Sequence, residues 1–529
     1  MGTTSTINIY INTLIMMERE YIVVLNPDID FAQFNQEMID NTGAGVIPNR
    51  TVDVANFRPG SQRSTHYSLT DEEAEELKND PRVRDVEIPP DQRDDIVQEL
   101  YASQSGNFAK TTSDSGNYLN WGMRRCIEST NPYSTFISDP GGDFTYTLDG
   151  TGVDVVIQDS GIQVDHPEFN DADGNSRVQQ IDWYTESGIS GTQSASHYTD
   201  TDGHGTHVAG TVGGLTYGWA KNARIYSVKI FDTGAFSSTD RFDVIKEWHN
   251  NKPIDPATGY KRPTIVNMSW GYSVPIGNSF SAITDILYRG TLYNTTNDAR
   301  WQESNAYMSE TYGIYPYATS SGYRAPYRLA SVDSDVEEMI AAGIHVCIAA
   351  GNNSFKADIS TGNDYNNFVN ASYGSYYHRG SSPYSDNAFM VGSVDSNTYS
   401  SSLDQISYFS TKGPGVSIWA PGSNIRSAFS NTTRHYNADY YLNSSYKQGS
   451  ISGTSMASPQ VCGLGATVLQ LNPHLTPAQL HQKMTNLASN NVLHSTSSSI
   501  DYNDTRSLVG APNKLLYTPF NSSNVLSAS

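Results

Sequence analysis

The sequence has little that could staple it or anchor it. Only 3 cysteines, Cys126, Cys347 and Cys462, stand in 529 residues, too few for a disulfide scaffold. They leave room for one bridge, and buried free thiols are the expectation. Basic residues are scarce: 33 Lys and Arg face 55 Asp and Glu, a net charge of −22, and the pI is near 4.8. Nucleic acid and anionic membrane are polyanions, so neither is an expected partner. No run reaches the roughly 20 apolar residues of a membrane span. A mean hydropathy of −0.48 argues against a multispanning membrane protein. Charged residues of both signs make up only 17%, unlike an acidic disordered chain. The start, MGTTSTINIYINTLIMMERE, lacks a basic n-region and a small-residue cleavage site, so no signal peptide is recognised. Met16 and Met17 leave a later start open, and residues 1–20 are read as an N-terminal extension.

What is present reads as a small unit followed by a large one. At roughly 100–200 residues per domain, the length allows three domains, or one large domain with an appendage. Residues 21–90 combine a strand at 21–25, a helical pattern at 28–40, an acidic helix at 71–79 and a strand-like PRVRDVEIPP. This is a small α+β domain. A linker at 91–118 turns rich in Ser, Gly, Asn and Thr. From 119 to 517 buried-type strands such as VDVVIQD, TIVNMSW and IHVCIAA alternate with helices. That alternation predicts an α/β fold, a mostly parallel sheet sandwiched by helices. Residues 273–330, rich in Tyr, Ser, Asn and Gly, break the rhythm and read as an insertion, and 518–529 as a C-terminal tail.

Four segments carry chemistry. Asp159 follows a buried strand in Gln-Asp-Ser-Gly, and functional groups collect at strand carboxyl ends in such sheets. His204 stands in DGHGTHVAG at the start of a helix of small residues, where imidazole is the natural general base. His207 follows at i+3, but no Glu or further ligand stands at zinc-protease spacing. Asn352 ends AAGN after a strand, where its amide can donate to a developing oxyanion. Ser455 sits in SGTSMASP before a long apolar helix. Ser452 and Thr454 precede it as candidate caps, which frees Ser455 to point elsewhere. A helix N-terminus beside it favours negative charge.

These segments resemble the active-site signatures of the subtilisin-like serine proteases, in that family's chain order Asp, His, Ser. The likeness runs from about 120 to 517 and includes NWGMRRC, HGTHVAGTVGG, VCIAAGN, SYFSTKGPG, WAPGSNI and ISGTSMASP. TVGGLTYGWAKNARIYSVKI is similar to the proteinase K-like branch. The resemblance implies a serine endopeptidase working through an acyl-enzyme. Ser455 would be nucleophile, His204 base and then acid, and Asp159 the residue that orients it. Asn352 and the Ser455 N–H would form the oxyanion hole. Ser269, Trp270 and Gly271 would wall one side of the substrate cleft and Ala349, Ala350 and Gly351 the other, both pairing with substrate main chain. His207 would be structural.

The resemblance also implies that residues 21–90 are an inhibitory propeptide, acting on its own chain, and that the protein matures by self-cleavage within 91–118. Several bonds there are open. Protein and peptide substrates are the expected partners, and a monomer the expected state. The chemistry requires no cofactor. The family often binds structural calcium; the loop that carries one such site there is absent here, since Leu215-Thr216-Tyr217-Gly218-Trp219 runs straight on, and Ser417 stands where that branch has a calcium-ligand Asp, while Glu168 and other acids could still hold ions at a site not located. Cys347 and Cys462 are expected in the core. A broad preference for an apolar or aromatic residue before the cut is expected. Family habit suggests an extracellular enzyme, while the missing signal peptide leaves particle-associated, viral or intracellular settings open. Two other readings are a silent binding scaffold and a peptide ligase or cyclase. The sedolisin relatives replace the histidine signature with a Glu-centred one, and HGTH argues against them.

Overall fold

The computed structural model describes residues 18–40, 50–58, 60–93, 95, 97–100, 104–105, 121–132, 146, 148–231, 240–315, 323–435, 437–496 and 504–518. Most of the extension at 1–20, of the linker at 91–118 and of the tail at 518–529 therefore lies outside the described residues, as does part of the 273–330 segment. The chain divides into two compact units, Met1–Gln92 and Arg93–Ser529. Among the described residues no helix is long and apolar enough to cross a membrane.

In the first unit the order is β-α-β-β-α-β. Strands Val54–Asn56, Ser64–Leu69, Arg19–Leu25 and Val83–Glu87 lie side by side in that order, each neighbouring pair antiparallel. Side chains alternate across a strand, so Val23, Leu25, Tyr67 and Leu69 meet Phe34 and Met38 of helix Phe31–Asp40 and Leu77 of helix Asp71–Leu77. Asp71–Leu77 opens on a capping box: Glu73 N–H donates to Thr70 Oγ1, and Thr70 N–H donates to the Glu73 carboxylate. Such caps contribute about 1 kcal/mol.

The second unit is built on a sheet of ten strands among the described residues. Its parallel centre runs Ile418–Pro421, Phe389–Thr398, His345–Ala349, Thr264–Met268, Asp154–Asp159, Arg224–Lys229 and Val178–Gln179. Every residue of Asp154–Asp159 is buried, as expected of a strand covered on both faces. Val155 and Ile157 join a core with Val208 and Val212 of helix His204–Gly213 and Val461 and Leu464 of helix Thr454–Leu471. Val156 points the other way, to a core with Phe242 and Trp248 of helix Asp240–Asn251 and Val336 and Met339 of helix Ala330–Ala341.

Helix ends follow local rules. Gly343, directly after the Ala342 cap, takes φ +92°, the left-handed turn that ends many helices. Thr476 and Gln479 form a capping box at the start of Pro477–Leu487. Between 273 and 330, strand Trp270–Gly277 pairs with Tyr323–Pro326, and a hairpin of Asp285–Tyr288 and Thr291–Tyr293 joins Phe368–Asn370. The tyrosine richness has a packing reason there. Tyr312 meets the rings of Tyr288, Tyr293, Trp301 and Tyr307, while its hydroxyl donates to Asp298 at 2.6 Å.

Candidate active site

Strands Asp154–Asp159 and Thr264–Met268 are parallel neighbours, with Gln158 opposite Met268. Their carboxyl ends deliver Asp159 and Ser269 side by side, about 5 Å apart at normal strand spacing. Helix His204–Gly213 begins against the first of these ends. The Gly205 N–H donates to Ser160 Oγ at 2.9 Å. A Cβ at Gly205 would stand 2.1 Å from the Gly161 carbonyl oxygen, so only glycine lets the helix start this close to the strand end. Gly203 before it has φ +95° and faces Thr433.

That approach places His204 Nδ1 2.8 Å from Asp159 Oδ1, which also accepts from Ser160 N–H at 2.7 Å. Both side chains are wholly buried. Among the described residues His204 Nε2 and Asp159 Oδ2 have no hydrogen-bond partner. Nδ1–H donating to the carboxylate fixes the tautomer and leaves Nε2 as the proton acceptor. Burial by itself lowers the His204 pKa; the Asp159 charge and hydrogen bond, with help from Asp202 and Asp200, outweigh it and hold the imidazole above its ordinary value.

Two acids here were not among the expected site residues. Asp200 is buried and accepts from Ser160 Oγ, Gly203 N–H, Thr206 N–H and Thr206 Oγ1 at 2.6–3.0 Å. It ties the loop before His204 to the helix start, where negative charge is favoured. Burial pushes its pKa up against those bonds. Asp202 pairs with His435 at 3.3 Å and with Arg434. Burial raises its pKa, but the hydrogen bond to His435 and the charges of His204 and Arg434 prevail and bring it to about 2. The signal available in the sequence was the repeat of acids in Asp200-Thr-Asp202 just before His204. His435 had none, because it arrives from 231 residues further along.

Ser455 is the second residue of Thr454–Leu471, but the capping differs from expectation. The N-cap is Gly453, without a side-chain cap bond. Neither Ser452 nor Thr454 fills that role: Ser452 Oγ accepts from Asn424 N–H, and Thr454 Oγ1 donates to Asn352 Oδ1 at 2.9 Å. Asn352 Oδ1 also accepts from Thr454 N–H at 2.9 Å, so a side chain 102 residues earlier serves the helix start. With Oδ1 engaged, the donor end of the Asn352 amide is the end left for a ligand. Ser455 Oγ donates to the Ser269 carbonyl at 3.0 Å, and Ser269 Oγ donates to the Ser455 carbonyl at 3.1 Å.

No direct Ser455–His204 hydrogen bond forms, yet the elements bring the two residues to one edge. Ser455 contacts the end of one strand and His204 the end of its neighbour. The two helices pack closely at Val212 and Gly463, where a Cβ on Gly463 would lie 2.6 Å from the Val212 carbonyl oxygen. Val212 follows His204 by eight residues and Gly463 follows Ser455 by eight. At 1.5 Å rise per residue, helices starting from the same sheet edge hold those two side chains level.

The remaining expected residues sort unevenly. Gly271 and the backbone of Trp270 lie on a strand edge that pairs with Val97–Leu100. The Trp270 side chain goes instead into the core beside Phe242 and Tyr272. On the opposite wall, Ala349 ends its strand. The Ala350 N–H donates to the Val391 carbonyl and the Gly351 N–H to Thr454 Oγ1. Both donors are thus engaged within the protein. His207 Nε2 lies 3.0 Å from the Ile425 carbonyl, and burial drives its pKa far down.

Cys126, Cys347 and Cys462 are free and buried. Burial raises the Cys347 thiol well above its usual value and Cys126 to about 12. Among the described residues no group of three His, Cys, Asp or Glu converges as a metal site. The Glu168 oxygens accept from Thr216 N–H at 2.8 Å and from the Tyr440 hydroxyl at 2.7 Å. Ser417 Oγ accepts from Met390 N–H.

The family comparison decides the identity. The profile of the subtilase family, Peptidase_S8, matches residues 150–503, about two thirds of the chain. The chain belongs to the subtilase family. This subtilase is 27% identical over 458 residues to an extracellular serine proteinase of a Thermus strain, covering 87% of this chain and 76% of that one. It is 25% identical to alkaline serine exoprotease A of Vibrio alginolyticus, covering 92% of this chain and 64% of that one. The chain thus spans under two thirds of the Vibrio relative's length. Among solved structures, fervidolysin of Fervidobacterium pennivorans, a keratinolytic enzyme related to subtilisin, superposes with TM-score 0.50 at 17% identity. That match covers 96% of this chain and 62% of that one, and it speaks for the fold. The mostly parallel, helix-covered sheet is the subtilase α/β fold.

Proposed function

We propose that this subtilase is a serine endopeptidase that uses Ser455, His204 and Asp159, and that it is made as a self-processing zymogen. The observation that carries the reading is the wholly buried His204–Asp159 pair, 2.8 Å apart, with Nε2 left unpartnered. A structural histidine at this depth would have both nitrogens occupied or would be pushed neutral, as His207 is.

The chain's own groups supply each step. Ser455 Oγ leaves the Ser269 carbonyl and attacks the scissile carbonyl carbon as His204 Nε2 takes its proton. Asp159 holds the ring and stabilises the imidazolium. The Asn352 amide and the Ser455 N–H at the helix N-terminus donate to the oxyanion. His204 then protonates the departing amine, and water repeats the sequence on the acyl-enzyme. Cleavage inside a chain, rather than at its end, is supported by strand edges on both sides of Ser455, at Trp270–Gly277 and Asn443–Ser452. Residues 21–90 are assigned as the propeptide because they fall in a separate compact unit ending at Gln92. Export is proposed by analogy with the Thermus relative's extracellular location.

The test is labelling by a fluorophosphonate together with hydrolysis of casein. Wild type should do both. Ser455→Ala should do neither, with kcat reduced on the order of 10⁶-fold, as when a triad acts as a unit. Labelling that persists in Ser455→Ala, or a wild type that neither labels nor cleaves, would overturn the assignment.

A further inference from the structure

We infer that His435 is a positioning residue for the catalytic base: it shares the Asp202 carboxylate with His204 and so sets how firmly that imidazole holds a proton. The inference rests on the protease reading above and adds to it a residue outside the triad.

The turn at 430–435 is closed by the Thr433 N–H donating to the Ser430 carbonyl at 3.1 Å. It is fastened to the loop before His204. Thr432 Oγ1 donates to the Asp200 carbonyl at 2.9 Å. Thr433 Oγ1 and the Arg434 N–H both donate to the Asp202 carbonyl, at 3.1 and 3.0 Å. The Asn431 N–H donates to Gln163 Oε1 at 2.7 Å. Gly203 lets the two segments touch, since a Cβ there would stand 2.1 Å from Thr433 Oγ1. These bonds all end on uncharged oxygens, so they fix where the loop lies. Charge is handled by side chains. Asp202 Oδ1 faces His435 Nε2 at 3.3 Å, and Oδ2 accepts from Arg434.

His435 is itself held. Its ring lies 10° from parallel to that of Phe429, with centroids 5.5 Å apart, and Phe429 packs against His207 on its other contact. The His435 side chain is only 8% exposed, so the ring has little room to turn from Asp202. The His204 ring centroid stands 6.5 Å from that of His435. The charged and titratable groups facing His435 are thus Asp202 from the loop, Arg434 from its own turn, and His204 and His207 from helix His204–Gly213. Burial drives His207 neutral. Arg434 is 62% exposed and screened by water. That leaves one carboxylate between two imidazoles. The Asp202 charge favours the proton on His204, while a proton on His435 places a like charge beside a ring that must gain one. At 6.5 Å in water that repulsion moves a titration by about half a pH unit, and by more where water is excluded. His435 therefore offsets Asp202 and keeps His204 free to act as base further into acid. The two rings titrate as a coupled pair, and the acid limb of activity belongs to the pair.

The experiment is kcat/KM on a peptide against pH, with fluorophosphonate labelling at the same pH values, for wild type, His435→Gln, His435→Lys, Asp202→Asn and the Asp202→Asn, His435→Gln double variant. The midpoint reads the active fraction alone, so a variant that folds in lower yield still answers. His435→Gln keeps an amide donor for Asp202 but no charge. It should raise the acid midpoint by about half a unit or more, which lowers kcat/KM on the acid limb about threefold or more. His435→Lys makes the charge permanent and should move the midpoint down. In the Asp202→Asn background the His435→Gln shift should shrink to less than half, because the anion that draws a proton to His435 is gone. An unmoved or lowered midpoint in His435→Gln, or the same shift with and without Asp202, overturns the inference and leaves the protease reading intact. A wild type that neither labels nor cleaves removes both.

Discussion

One strand, Asp154–Asp159, carries a buried aspartate at each end, and the two ends do opposite things. Asp154 is 1% exposed and meets two fixed cations, Lys252 at 2.8 Å and Arg262 at 2.7 Å. Asp159 is wholly buried too, but its charged partner is a single histidine. Burial is therefore not what distinguishes the site. At the amino end the carboxylate is held between an ammonium and a guanidinium that also bind backbone carbonyls, so its charge is spent on holding loops to the sheet. At the carboxyl end the partner can lose and regain a proton, so the same charge tunes chemistry.

The comparison breaks or holds under matched variants. Asp159→Asn should lower kcat by about 10⁴ through the wrong tautomer while leaving the melting transition near wild type. Asp154→Asn should do the reverse. It leaves two buried cations with a neutral partner and costs on the order of 3 kcal/mol in denaturant melts, while kcat of the folded fraction stays close to wild type. Equal catalytic losses at both ends would end the distinction. Next in size, Asn352→Ala should reduce kcat about 10²–10³-fold with little change in KM, read from steady-state kinetics on a peptide. The smallest effect concerns pH. His204 must be neutral to act as base, and its pKa is held up, so kcat/KM should fall on the acid side with a midpoint above the ordinary ~6.5. Asp202→Asn removes a negative charge near that ring and should move the midpoint down by about half a unit, without abolishing activity. A midpoint that rises instead would exclude the assigned role for Asp202.

Stability and activity should run against each other in the same window. A histidine whose folded pKa is raised contributes stability that is complete below its unfolded value near 6.5 and is lost as pH climbs through the folded value. Activity appears over the rise that removes this contribution.

Local signals carried much of this structure. Buried apolar runs marked the sheet strands, small residues marked the helix that starts at His204, and Thr476-Pro477 marked the last long helix. Asp159, His204, Asn352 and Ser455 stood out because strand ends and helix starts bracket them. The misses share a physical cause, which is long-range partnership. Ser452 and Thr454 fit the local rule for a cap, but Asn352 arrives from the neighbouring strand end and takes the helix start. His435 carries no local mark, since its meaning lies only in meeting Asp202. The pairing of Val97–Leu100 with Trp270–Gly277 was equally hidden, because main-chain pairing leaves almost no trace in side-chain identity.

The most direct test of the central claim is the rate of fluorophosphonate labelling of Ser455 against pH, in processed wild type, Asp159→Asn and Asp154→Asn. The account predicts a wild-type midpoint above 6.5, the same profile in Asp154→Asn, and labelling slowed by about 10³–10⁴-fold in Asp159→Asn. Labelling of Asp159→Asn at the wild-type rate, with an unchanged midpoint, would contradict it.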